Sequence, residues 1–334
     1  MAKKKTAKTS DISDVFNTLD DLGVRLVKSA DDLAGSYTLE TGIFNLDIIL
    51  SPKFGLSPGK IIEVFGLNGT GKSSIAFQIL KSAADAGLGA YYFGMEYAEN
   101  ESSLSIFGLT PKSSESPDGN VYIFQPPHGE AALEGILRVI QTQPKSVIVL
   151  DSVANCMPAE QYSEQIGKQT YKSVANIMTP FITKARSLLA RSESILILLN
   201  QQRANVSGYG SPYKETGGMA LQFNCDWRVE VKRGDKIEKS GEKIGHVIRA
   251  ITKKNRFMKP EQEARFHLVY GGGFDEGLDL LQSALELGVV SKAGAWFKMG
   301  DQSIGQGQIA AAEFISQNEE IKKQIKDQVK EMLS

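Results

Sequence analysis

The sequence predicts an α/β fold: a mostly parallel sheet with an antiparallel extension, an N-terminal helical segment and a small C-terminal α/β domain. Three observations predict it. Nearly apolar runs of strand length recur at residues 60–65, 89–95, 121–124, 147–151 and 195–199. Helical spacings lie among them at 73–86, 130–141 and about 171–191, and strands alternating with helices call for a parallel sheet covered on both faces. After Gly218 the pattern changes to strands at 226–232, 246–252 and 265–269 with no long helix between them. An antiparallel extension of the same sheet accounts for that change.

The first strand leads into the stretch that organises the chain: Gly66-Leu67-Asn68-Gly69-Thr70-Gly71-Lys72-Ser73, followed by Ser74. It fits G-x-x-x-x-G-K-[ST], the phosphate loop of nucleotide hydrolases. Such a pattern also occurs in glycine-rich turns that bind nothing, so context decides. Here a buried strand precedes it, and a helix follows with Ile75, Ile79, Leu80 and Ala83 on one face, closed by Gly87. Glycines let backbone N–H groups curl around phosphates, and the new helix directs its positive end at them. Lys72 is expected on the β- and γ-phosphates, with the Ser73 hydroxyl on Mg²⁺.

On either side of this unit the chain is less explicit. Residues 1–9 read as a solvated basic tail. Apolar residues Ile12, Val15, Leu19, Leu22, Leu26 and Leu33 suggest a helix bent near Gly23, whose apolar face can pack on the core or on a neighbouring subunit. Gly35 and Ser36 make a linker. Residues 100–119 are rich in Ser, Pro and Gly, and read as irregular after a short helix. From Gly277 onward a helix at 278–287, a hairpin around Trp296 and helices at 309–316 and 319–333 form the small C-terminal domain.

Composition narrows the class. With 334 residues, 41% apolar and 23% charged, the chain reads as an ordinary soluble protein. No apolar run approaches the roughly 20 residues that span a bilayer. The basic Met1-Ala2-Lys3-Lys4-Lys5 lacks the apolar segment of a secretory signal. Cys156 and Cys225 are the only cysteines, so a disulfide framework is not expected and a reducing cytosol fits. His128, His246 and His267 have no metal-ligand spacing. A net charge of −1 neither demands nor excludes nucleic acid, since 38 basic residues can still gather on one surface.

Several polar residues end strands at the rim where ligands of open α/β folds bind. Asp151 closes Val147-Ile148-Val149-Leu150, a Walker B pattern, and is expected to hold Mg²⁺ through water. Glu96 follows another strand and could take a proton from water attacking the γ-phosphate. Glu99 and Glu101 are less well placed alternatives. Asn200-Gln201 ends a further strand, where the Gln amide could report the nucleotide state. Each of these, alone, also reads as an ordinary surface residue.

Their order and wording resemble the RecA family of bacterial and phage-encoded DNA recombinases over residues 40–334. Thr41-Gly42, Leu46-Asp47, Val64-Phe65-Gly66, Asp151-Ser152-Val153-Ala154 and Asn200-Gln201 fall in family order. More specific are Thr216-Gly217-Gly218, Lys253-Lys254-Asn255-Arg256, Lys292-Ala293-Gly294-Ala295-Trp296-Phe297 and Ile304-Gly305-Gln306-Gly307. The resemblance implies a RecA-type ATPase core at 36–275, a tail and polymerisation helix at 1–35 and a small domain at 276–334. It also implies a DNA-dependent ATPase that coats single-stranded DNA as a helical filament and exchanges strands with homologous duplex DNA in recombination and repair.

In that reading Glu96 is the catalytic glutamate and Gln201 the phosphate sensor. Lys254 and Arg256 reach ATP bound by the adjacent subunit. Two loops meet DNA. The first carries Lys168, Tyr171 and Lys172; the second carries Arg203, Val206, Gly208 and Tyr209 and leads to Gly217 and Gly218. A tyrosine there could stack on bases. Phe223 resembles the residue that relays nucleotide state across the interface, although a lone Phe on a strand is more often core. Single-strand-binding and mediator proteins are further implied partners.

The sequence also departs from the family pattern. Gly94 replaces an acid before the catalytic glutamate, Tyr97 follows it, and Ser103 stands where a tyrosine stacks on adenine. Asn176 and Thr183 replace arginines, leaving Lys168 and Lys172 to carry that charge. The chain ends Lys330-Glu331-Met332-Leu333-Ser334 without an acidic tail, which implies less self-inhibition or control by partners. Two other functions compete: a RecA-fold ring helicase or motor, and a DNA filament protein that binds ATP but barely hydrolyses it.

Overall fold

A computed structural model describes residues 35–97, 100–163, 173–204, 213–239 and 241–333. Its contacts divide the chain into Met1–Ser36 and Tyr37–Ser334. The expected N-terminal helix lies outside the described residues, and every element below belongs to the second unit.

The first half runs α1 (Phe44–Leu50), β1 (Ile61–Gly66), α2 (Lys72–Asp85), β2 (Gly89–Gly94), α3 (Glu101–Ile106), β3 (Tyr122–Phe124), α4 (Gly129–Thr142) and β4 (Ser146–Asp151). Next come α5 (Ala159–Ser163), α6 (Val174–Ser192), β5 (Ile195–Ala204), β6 (Tyr213–Glu215), α7 (Gly218–Asn224), β7 (Trp227–Lys239), β8 (Glu242–Asn255), β9 (Glu263–Val269) and β10 (Gly273–Phe274). The C-terminal part holds α8 (Glu276–Glu286), β11 (Ser291–Ala293), β12 (Trp296–Met299), β13 (Gln302–Gln306), α9 (Gln308–Gln317) and α10 (Glu319–Leu333).

One ten-stranded sheet has the order β10-β9-β8-β7-β1-β5-β4-β2-β3, with β6 paired to β5. The segment from β7 to β3 is parallel. β8, β9 and β10 extend it antiparallel beyond β7, as the change in sequence pattern predicts. β1 and β4 are buried along their whole length, which explains their continuous apolar character. One face of the sheet packs on α1 and α2 through Ile49, Ile75, Ile79 and Leu80; the other packs on α4 and α6 through Ile136, Ile140, Ile182 and Leu189. Burying about ten such side chains at ~1.5–3 kcal/mol each is what holds the layers together.

A second, three-stranded antiparallel sheet (β11-β12-β13) replaces the simple hairpin expected around Trp296. With α8, α9 and α10 it closes a separate apolar cluster around Leu280, Leu281, Phe297, Ile304 and Ile325, which Phe44 of α1 also joins.

The sequence reading needs two corrections here. Phe223 lies on α7, not on a strand, and at 63% exposed it is not a core residue, which sets aside the core alternative. A seven-residue helix opened by two glycines is too short to display a 3.6-residue period. The strand expected to end at Asn200-Gln201 continues to Ala204. Its polar end gains a ladder because β6 folds back on it, pairing Gln202 with Glu215 and Arg203 with Lys214.

Candidate nucleotide site

Because β1, β4 and β5 are parallel neighbours, their C-terminal ends bring Gly66, Asp151 and Gln201 to one rim of the sheet. Gly66 ends β1; Leu67, Asn68, Gly69 and Thr70 form the turn, and Gly71 starts α2. Thr70 Oγ1 donates to the Leu67 carbonyl at 2.9 Å, and the Gly69 N–H donates to Asn68 Oδ1 at 2.9 Å, so the turn is held from within. Gly71 is required twice over. Its φ of +96° is left-handed, and a Cβ there would meet Ile248 Cδ1 of β8 at 2.4 Å.

Lys72 folds back over the loop, donating to the carbonyls of Leu67 at 2.9 Å and Gly66 at 3.3 Å. Burial holds its ammonium below the usual lysine range, while Asp151 and Glu96 pull it back up. A desolvated ammonium satisfied by two neutral carbonyls is suited to an anion. Ser73, one residue on, donates its hydroxyl to Asp151 Oδ2 at 2.7 Å. Tyr92 of β2 donates to the same oxygen at 2.7 Å. Burial pushes the Asp151 carboxyl up, and those two hydroxyls oppose the shift.

Glu96 lies just beyond β2, where Gln201 Nε2 donates to its Oε1 at 2.5 Å and Ser152 Oγ at 3.1 Å. One cavity of about 350 Å³ joins Gly69, Gly71, Lys72, Ser73 and Ser74 to Glu96, Asp151 and Gln201. Its far wall comes from His246, Leu268 and Tyr270 of the antiparallel half. A second depression shares Ser73, Ser74, Leu268 and Tyr270 with it and is more apolar, reaching Phe77, Ser103, Ile106 and Phe107. Together they make a trough, charged at the loop and apolar beyond. Phosphates fit the first part and a nucleoside the second.

The same residues fit Mg²⁺. Ser73 Oγ and the Asp151 carboxylate are hard oxygen donors side by side. Among the described residues no three His, Cys, Asp or Glu side chains converge to hold a metal ion. A cation here would therefore depend on water and phosphate oxygens for its remaining ligands.

A buried ion network underlies the rim, and sequence reasoning missed it. Glu63 of β1 is fully buried and receives Arg228 Nε of β7 at 2.5 Å. Arg228 also donates to Glu215 of β6. Asn200 Nδ2 donates to Glu63 Oε1 at 2.8 Å and to the Thr216 carbonyl at 2.7 Å. The signal was present: Glu63 is the only charge inside an apolar strand. Tyr92 hid within such a run, and His246 and Tyr270 have no local pattern at all.

The other expected site residues fall elsewhere. Lys254 and Arg256 do not line the cavity of their own chain. Lys254 Nζ donates to the carbonyls of Gln222 (3.0 Å) and Phe223 (2.6 Å), and Arg256 Nη2 to that of Phe223 (3.2 Å). Arg256 Nη1 also pairs with Asp226 at 3.3 Å. Gly217, at φ +99°, turns the chain into α7, where a Cβ would press on Val153 and Leu221 at 3.0 and 3.1 Å; Gly218 begins that helix. Arg203 is exposed on β5. Lys168, Tyr171, Lys172, Val206, Gly208 and Tyr209 lie outside the described residues, as does Glu99. Glu101 sits exposed on the first turn of α3.

Comparison with known proteins agrees with this geometry. The RecA N-terminal domain model matches residues 24–275 and the RecA C-terminal domain model residues 278–334. The RecA protein of Aquifex pyrophilus is 32% identical over 296 residues, covering 88% of this chain and 83% of the relative. That of Aquifex aeolicus (strain VF5) is 30% identical over 332 residues, covering 99% and 94%. Among solved structures, the RadB recombinase superposes with a TM-score of 0.50 at 19% identity, over 71% of this chain and 98% of its own, a likeness of fold. With both family domains present and about 30% identity sustained nearly end to end, the chain belongs to the RecA family.

Proposed function

We propose that this protein is a DNA-dependent ATPase that assembles helical filaments on single-stranded DNA and catalyses homologous pairing and strand exchange. The observation that carries the reading is the Gln201–Glu96 hydrogen bond of 2.5 Å. It joins a carboxylate of the phosphate cavity to β5, the strand that runs on through Arg203 into the segment expected to meet DNA. Whatever moves Glu96 on nucleotide binding therefore pulls on the base of that segment.

In this reading Glu96 accepts the proton of the water that attacks the γ-phosphate. Gln201 holds Glu96 until phosphate arrives and then donates to the phosphate instead. Lys72 exchanges the Leu67 and Gly66 carbonyls for β- and γ-phosphate oxygens. Mg²⁺, held by Ser73 and through water by Asp151, would neutralise charge between those phosphates. Lys254 and Arg256, which among the described residues bind carbonyls and Asp226, would turn toward ATP of the next subunit in a filament.

Tyr37–Ser334 would thus comprise an ATPase core to about residue 275 and a small C-terminal domain after it. No helix among the described residues is long and apolar enough to cross a membrane, and we place the protein in the bacterial or phage-infected cytoplasm. A strand-exchange assay with ATP, circular single strands and linear duplex tests the function. ATP turnover should rise when single-stranded DNA is added, and joint molecules should form. Turnover indifferent to DNA, or closed rings of fixed size in electron micrographs, would overturn the proposal.

A further inference from the structure

His246 is the odd residue of the trough. It lies on β8, is 3% exposed, and neither ring nitrogen has a hydrogen-bond partner among the described residues. Buried polar side chains nearly always find a partner, so a buried imidazole that lacks one and walls a cavity points to a ligand group that completes it. The strand register fixes where that group must lie. Ile248, two residues along β8 and so on the same face, packs near the position of Gly71 in the phosphate loop. His246 pairs across the sheet with Leu268, and its ring centroid stands 5.8 Å from that of Tyr270. Both of those residues line the charged cavity and the apolar depression alike. The imidazole is therefore at the joint of the trough, between the phosphate end and the base end, which is where a nucleotide carries its sugar.

Its protonation state suits a sugar. Burial, and behind it the charges of Arg233 and Lys243, hold the imidazole below its ordinary value, so the ring is neutral at pH 7. A neutral imidazole offers a donor at one ring nitrogen and an acceptor at the other, and a ribose hydroxyl, both donor and acceptor, can complete whichever nitrogen it meets. We infer that His246 is a nucleotide-recognition residue that hydrogen-bonds the ribose 2′ hydroxyl of the bound nucleoside triphosphate through one ring nitrogen. It thereby contributes specificity at the sugar, beside a depression whose lining at the base end includes Phe77, Ser103, Ile106 and Phe107. This inference deepens the nucleotide reading of the cavity and rests on it.

The test is His246→Phe, which keeps the ring's bulk and removes both nitrogens. Titrations use ATP, 2′-deoxy-ATP and inorganic tripolyphosphate, with the melting temperature of the nucleotide-free protein as a control for folding. ATP affinity should fall about tenfold, the value of one neutral hydrogen bond. Affinity for 2′-deoxy-ATP should fall less, tripolyphosphate affinity should hold, and the nucleotide-free protein should melt no lower than wild type. His246→Asn, which restores a donor and an acceptor, should recover part of the ATP affinity. Unchanged ATP affinity in His246→Phe, or equal losses for ATP and its 2′-deoxy form, would overturn the inference. Failure of the underlying nucleotide reading looks different: wild-type protein would bind neither ATP nor tripolyphosphate.

Discussion

Two groups of charges, one at the rim of the sheet and one behind it, are completed in opposite ways. Behind the rim, Arg228 is shared between Glu63 and Glu215, and Asn200 fills the remaining side of Glu63. Every charge there has a charged partner. At the rim, Lys72 rests on backbone carbonyls, Asp151 on two hydroxyls, and Glu96 on an amide and a hydroxyl. Among the described residues no ion pair includes any of the three. A completed ion network fixes structure, because removing the shared Arg228 strands the buried Glu63. A network completed by neutral groups can exchange them for phosphate and metal at low cost. The first is a clamp and the second a receptor, and β1 and β5 carry residues of both.

The sharpest break of this comparison is Lys72→Ala. It should remove the receptor's cation and cost 2–5 kcal/mol or more of ATP affinity, roughly thirtyfold and upward, read by titration with a fluorescent nucleotide. Hydrolysis should vanish with it, while unfolding by urea stays near wild type, since Lys72 is no part of the clamp. Ordinary ATP affinity in the variant would mean that the loop does not hold the phosphates. Glu96→Gln comes next. It keeps the size of the side chain and, in the proposed mechanism, removes the base, so turnover should drop about 10²–10⁴-fold with ATP binding retained. DNA filaments should then persist; turnover at wild-type rate would assign the base elsewhere.

Arg228→Ala tests the clamp. It leaves Glu63 buried without its cation, a loss of about 3–5 kcal/mol of stability by urea unfolding. Burial already raises the Glu63 carboxyl despite Arg228, so the unpaired acid in the variant should take up a proton more readily still. Adding Glu63→Gln, which removes the stranded charge, should recover part of the loss. If the double variant is as unstable as the sum of the singles, the two side chains are not coupled as the 2.5 Å contact requires.

The same contrast explains what could be read in advance. The receptor was legible because phosphate chemistry needs particular residues at fixed local spacing: Gly66 to Ser73 are contiguous, and Asp151 and Gln201 follow apolar strand runs. The parallel sheet was legible because burial on both faces leaves runs such as 147–150 wholly apolar. The clamp was not, because Glu63, Glu215 and Arg228 meet only through the order of β1, β5, β6 and β7. Nor was His246, whose meaning depends on the antiparallel register that sets it beside Leu268. The strand under Phe223 was misread for a different reason: α7 is too short for periodicity to separate it from a strand.

The smallest expected effect sits at the far end of β5. Asn200 belongs to the clamp, Gln201 to the receptor, and Arg203, two residues on, stands exposed where the strand leaves both. If the clamp keeps this strand rigid, the receptor's grip on Gln201 is transmitted to Arg203 and the segment beyond it. Arg203→Ala should then weaken single-strand binding by about 1 kcal/mol regardless of sequence, and lower the slope of log affinity against log salt by about 0.7, the value of one phosphate contact. Fluorescence anisotropy with oligo-dT and mixed-sequence strands at several salt concentrations reads both quantities. A loss confined to one sequence would make Arg203 a base reader, and an unchanged salt slope would remove it from the DNA surface. Repeating the titrations with Glu96→Gln under ATP then asks whether that contact strengthens when the receptor is full, which a rigid β5 requires.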